Sequence, residues 1–138
     1  MPDTGKLTQL IVEFYEKLSS WEHCVVRDKG LTLPQVHALE ILGTHKALRM
    51  KELAERMGVT TGTLTVLADR LEKSGMIRRK PHEADRRSIL VELTDQGHVL
   101  FEEHDELHNQ LTRDITVELS DTERKAFADI LGKLNSEF

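Results

Sequence analysis

The spacing of apolar residues changes twice between residues 50 and 95, and few folds accommodate that change. Residues 50–57 (MKELAERM) place Leu53, Ala54 and Met57 at helical spacing. Gly58 stops the run where a positive φ is often needed. Thr60 is a good N-cap, and residues 61–74 carry Leu64, Leu67, Ala68 and Leu71 on one face until Gly75 ends them. Two short helices joined by a tight glycine turn form a helix-turn-helix, with small Ala54 where the helices would cross. The period then drops to two. Residues 76–80 and 88–93 read as strands around the polar turn 81–87, PHEADRR. A helix-turn-helix followed by two strands and a basic turn is a winged helix.

The flanks are helical. Residues 4–26 carry Leu7, Leu10, Ile11, Phe14, Leu18, Trp21 and Val25 as one stripe, and residues 27–30 break it. Thr32 and Gln35 form a capping box, with Pro34 in the first turn of a helix that ends near Gly43. Thr94 caps a helix over 95–116, and Ser120 with Glu123 opens the last one, carried by Phe127, Ile130, Leu131 and Leu134. The predicted class is mostly α with a small β wing. Residues 31–94 are the winged helix-turn-helix DNA-binding lobe; 1–30 and 95–138 are a helical dimerisation region. Only 38% of the 138 residues are apolar and 4% aromatic, a lean core for so many helices. Part of the apolar surface is therefore expected to be buried against a second copy.

Composition closes other routes. No apolar run approaches the ~18 residues of a membrane span. The first ten residues lack the basic start and apolar stretch of a signal peptide, and one cysteine excludes an internal disulfide framework. A cytoplasmic protein is expected. The net charge of −5 argues at first against nucleic acid, but it is unevenly spread. Residues 46–93 hold eleven Lys and Arg against seven acids, a balance of +4, while the flanks together carry −9. A basic module between acidic arms can meet phosphate locally.

The outward face of the second short helix carries Thr61, Gly62, Thr63, Val66, Asp69, Arg70 and Lys73. Small residues at its start permit close approach to a groove, and threonine hydroxyls and methyls suit phosphates and base edges. The candidate DNA contacts are Thr60, Thr61, Thr63, Thr65 and Arg70 on this helix, with Arg79, Lys80, Asp85, Arg86 and Arg87 on the wing. An arginine at a wing tip can enter the negative minor groove, and Asp85 two residues earlier can orient it.

The stretch LAERMGVTTGTLTVLADRLEKSGMIRRKPHEADRRSILVELTDQG resembles the core of the MarR family of bacterial transcriptional regulators, through Asp85-x-Arg87 followed by Leu93-Thr94 and Gly97. The upstream LTLPQVHALEIL is similar to the segment ahead of that family's helix-turn-helix. The resemblance implies a homodimeric winged-helix repressor or activator. Its terminal helices would interleave, and a ligand site would lie where they meet the DNA-binding lobe. It assigns recognition to residues 60–74 and minor-groove reading to Arg87 with Asp85. Many members carry arginine where this chain has Val66, so its operator preference should differ. The expected partners are a pseudo-palindromic duplex, a second copy, and a small-molecule or metal effector, with no membrane.

His104 and His108 lie four apart on one helix face, a spacing that suits one metal ion. In the zinc-sensing MarR-type regulators that the chain resembles, a histidine of the second helix joins a Glu-His-x-x-x-His run. The resemblance thus implies zinc as a possible cofactor on His37, Glu103, His104 and His108. A second acidic ligand expected beside His37 is Val36 here, so at most one of two zinc sites would be intact. Cys24 reads as a buried, inert thiol, because Trp21-Glu22-His23-Cys24 does not match the peroxide-sensing members.

Two other classes compete. HDELH at 104–108 is similar to the HExxH helix of a zinc-dependent hydrolase, but Asp105 stands where the general base must be glutamate. A winged-helix protein-interaction module would not need Arg87 or the basic run 78–80. The expectation is a non-enzymatic regulator.

Overall fold

The computed structural model describes residues 3–85 and 87–138. Among the described residues, nine elements follow in order: α1 (Thr4–Asp28), α2 (Leu33–His45), β1 (Ala47–Arg49), α3 (Met50–Met57), α4 (Thr61–Lys73), β2 (Ile77–Pro81), β3 (Ile89–Leu93), α5 (Asp95–Ile115) and α6 (Asp121–Glu137). The chain divides into two compact units, residues 1–101 and 102–138, and α5 runs across the boundary.

Local chemistry sets the helix starts. Thr32 accepts the Gln35 N–H at 3.3 Å while the Gln35 side chain accepts the Thr32 N–H at 3.0 Å. Ser120 and Glu123 repeat the exchange at 3.1 and 2.9 Å. Thr60 Oγ1 accepts the Thr63 N–H at 3.1 Å, and Thr94 Oγ1 accepts the Gly97 N–H at 3.1 Å. These bonds satisfy amide donors that a helix start otherwise leaves open. Gly58, at φ 69°, closes α3 in the left-handed region and turns the chain toward α4.

In the first unit the core joins Ala38, Leu39 and Leu42 of α2, Leu53 and Ala54 of α3, Leu64, Ala68 and Leu71 of α4, and Ile77, Val91 and Leu93 of the sheet. Leu67 and Met57, expected inside, pack at its edge. Gly97 is required where α5 starts: a Cβ there would run into the Met76 carbonyl oxygen and lie 3.2 Å from a Leu93 methyl. Gly43 likewise leaves room for the Phe101 ring.

The sheet departs from the two-stranded wing read in the sequence. A third strand, β1, pairs antiparallel with β3, so the order is β1-β3-β2. Three residues are too few to display an alternating pattern, and β1 follows Lys46, whose φ of 69° is unusual outside glycine. The register sets Leu48 against Val91 and Arg79 against Val91 from the other side.

In the second unit, α6 has no buried residue. Arg124 Nε donates to the Thr116 carbonyl at 3.2 Å and ties α6 back to the end of α5. Phe127, Ile130, Leu131 and Leu134 lie exposed along α6, as do Leu7, Leu10, Ile11 and Phe14 on α1. Among the described residues, no helix is long and apolar enough to cross a membrane.

Candidate nucleic-acid interface

The N-terminal end of α4 faces outward. Thr61, Thr63, Thr65, Val66 and Arg70 are exposed, while Leu64, Ala68 and Leu71 on the opposite side are buried. Thr60 serves the helix itself: its hydroxyl also donates to Thr63 Oγ1 at 3.0 Å. The Thr65 hydroxyl donates to the Thr61 carbonyl at 2.8 Å, which leaves its methyl and a lone pair toward solvent.

Thr61 and Thr65 form one wall of a concavity of about 430 Å³, completed by Arg49, Met50, Lys51, Arg79, Arg87, Ser88 and Ile89. Four of these nine residues are cationic. The hollow therefore brings Arg49 and Lys51 at the start of α3 and Arg87 on the wing beside the start of α4, a local excess of positive charge that attracts a polyanion, while the charge of Arg79 is met by Asp69 and Glu72. Reading the sequence for a recognition face missed Arg49 and Lys51. Their signal was their position at the start of the first helix of the motif.

The wing turn is held by Asp85. Its Oδ1 accepts the Arg87 N–H at 3.0 Å and its Oδ2 the Ser88 hydroxyl at 3.3 Å. This is the turn by which an aspartate bonds its own backbone two residues on. Asp85 was expected to orient Arg87, and it fixes that residue's backbone, leaving the side chain exposed at the turn. The His82 N–H donates to the Ser88 carbonyl at 2.9 Å and closes the base of the turn. Arg86 lies outside the described residues.

The basic run 78–80 is engaged with acids. Arg78 and Lys80 lie 2.8 and 3.2 Å from Glu92, and Arg79 lies 2.6 Å from Asp69 and 2.9 Å from Glu72. Arg79 holds the Glu72 carboxyl below its ordinary value, and Arg78, then Lys80, do the same for Glu92. With a depressed folded-state pKa, each acid contributes fully above the ordinary carboxylate range. That contribution is lost only as pH falls through the lower folded value.

The histidine pair is a separate feature. The His104 and His108 rings meet edge to face with centroids 4.8 Å apart; His104 is buried and His108 half-buried. Glu103 is exposed, as expected of a neighbour turned about 100° around the helix axis. The structure thus brings His104 and His108 together and directs Glu103 elsewhere. His37 is exposed on α2. In the first unit, Glu22 of α1 and Glu40 of α2 bring carboxylate oxygens within 4.8 Å of each other, a pairing no spacing rule could reveal across two helices.

Comparisons with known proteins bear on the family and the fold. The model of the MarR family matches residues 31–89. The transcriptional repressor YetL of Bacillus subtilis is 30% identical over 137 residues, which cover 96% of this chain and 81% of that protein. A MarR family protein from Bacillus stearothermophilus superposes with a TM-score of 0.89 at 26% identity, covering 96% of this chain and 93% of the other. A mutant of E. coli MarR, solved in complex with operator DNA, gives 0.72 at 26% identity, covering 94% and 93%. The chain spans 66%, 50% and 48% of the length of the first curated relatives it matches.

Proposed function

The chain belongs to the MarR family, and from that premise we propose that it is a homodimeric, sequence-specific double-stranded DNA-binding repressor. The cationic hollow between the start of α4 and the wing carries this reading. Thr61, Thr63, Thr65 and Arg70 face the major groove and its phosphates, Arg49 and Lys51 flank the backbone, and Arg87 enters the minor groove. Two-fold symmetry calls for a pseudo-palindromic duplex with half-site centres about one helical turn, ~10 bp, apart. The exposed apolar rows on α1 and α6 are the surface the second copy covers, at about half exposure for Leu7, Ile11, Ile130 and Leu134.

Sedimentation velocity tests both halves of the proposal. The free protein runs at about twice the 15.8 kDa chain mass. One dimer joins a duplex enriched from a random pool, and the complex dissociates steeply as salt rises because phosphate contacts release counterions. A single-chain mass persisting at micromolar protein, or binding indifferent to salt, overturns it.

The effector is a divalent cation, zinc by the chemistry of its ligands, bound through His104 and His108. Two imidazoles one helical turn apart supply half of a tetrahedral shell. The ion changes DNA affinity by the difference in its own affinity for the two arrangements of the dimer. Zinc added to metal-free protein shifts duplex affinity, and His104→Ala abolishes the shift while Glu103→Ala leaves most of it. An equal response in wild type and His104→Ala favours an organic effector instead.

A further inference from the structure

The acids on the C-terminal half of α4 are out of place on a DNA-reading helix unless they do something other than meet DNA. Asp69 and Glu72 stand three apart on one face, turned toward β2. β2 is an edge strand, paired only with β3. On its open side the Arg79 N–H donates to Glu72 Oε2 at 3.1 Å. The guanidinium of the same residue donates to both Glu72 oxygens, through Nε at 3.4 Å and Nη2 at 2.9 Å, and to Asp69 Oδ1 at 2.6 Å. Four hydrogen bonds thus converge on one residue. They join the recognition helix to the strand that leads, eight residues on, to Arg87.

We propose that Arg79 is a positioning residue, not a DNA contact: with Glu72 and Asp69 it fixes the wing against α4 and so sets the spacing between the major-groove and minor-groove readers. This rests on the DNA-binding reading above. Arginine suits the task because its planar fork reaches two carboxylates at once, which a lysine ammonium cannot do in a fixed geometry. The side chain is only 24% exposed, and its Nε and Nη2 donors are already committed when DNA arrives.

The sign of one substitution separates this role from simple electrostatics. Glu72→Gln removes a negative charge beside a polyanion, so charge alone predicts tighter binding. The clamp predicts the reverse for specific DNA. Affinity for the duplex enriched by wild type falls about tenfold, the order expected of coupled neighbours in one network. Affinity for an unrelated duplex stays level or rises. Arg79→Lys keeps the charge and does not restore the specific affinity. Arg79→Gln leaves the slope of log affinity against log salt unchanged. A phosphate contact would lower that slope by about 0.9 per protomer. A merely destabilising change would lower both affinities together. Glu72→Gln binding the enriched duplex as tightly as wild type, or a reduced salt slope in Arg79→Gln, overturns the assignment. A wild type that enriches no duplex overturns the DNA-binding reading itself, and amide exchange at the Arg79 N–H in the free protein then still reports whether the tie to Glu72 forms.

Discussion

Arg87→Ala weakens binding to the enriched duplex on the order of 100-fold while leaving the fold intact. The side chain is exposed at the wing turn, so its removal takes nothing from the core. Asp85 bonds the backbone of residue 87 and not its guanidinium, so the turn keeps its shape in the variant. In the dimer proposed above, two such arginines enter the duplex. At about 1–3 kcal/mol for each well-placed contact to a base edge, two losses multiply to that magnitude. Fluorescence anisotropy at fixed salt measures it, with a thermal melt of the free protein as the control. An affinity within threefold of wild type would remove Arg87 from the interface.

Gly97→Ala costs about 3 kcal/mol of stability, the upper end for forcing an atom into a filled space. The neighbour it meets is the Met76 carbonyl, which also accepts the Thr94 N–H at 3.0 Å. Backbone on one side and the first turn of α5 on the other give little room to relax. The variant melts about 10 °C lower than wild type at equal concentration. Gly132→Ala, where an added Cβ meets nothing within the single chain, is the paired control: it leaves stability level or raises it by up to about 1 kcal/mol, as alanine does in place of glycine inside a helix.

Much of the winged helix was legible because its signals are local. Thr32 with Gln35, Ser120 with Glu123, Thr60 before α4 and Gly58 in the turn each announce an element end through bonds made within a few residues. The bounds of α3 came out unchanged, and those of α1, α2, α4 and α5 shifted by two residues or fewer. What the sequence hid depends on partners distant along the chain. β1 exists only because β3 offers it an edge. Arg79 reads as one more basic residue of a run until Asp69 and Glu72 are seen across from it. Arg49 and Lys51 join the hollow through the turn of the chain at Gly58. Glu103 and His104 are adjacent in sequence, yet helical rotation sends one to solvent and buries the other.

The exposed apolar rows have a consequence for how much of this protein a cell can hold in working form. A helix such as α6, with none of its residues buried in the single chain, has little of its own to keep it from fraying. In the dimer proposed above, each newly made chain must meet another, so chains pass through a vulnerable interval whose length shortens as their number grows. Turnover by proteases then falls most heavily on scarce chains and spares abundant ones. Occupancy of a regulated site would rise more steeply than in proportion to synthesis, giving a threshold that arises from folding alone, before any effector is bound.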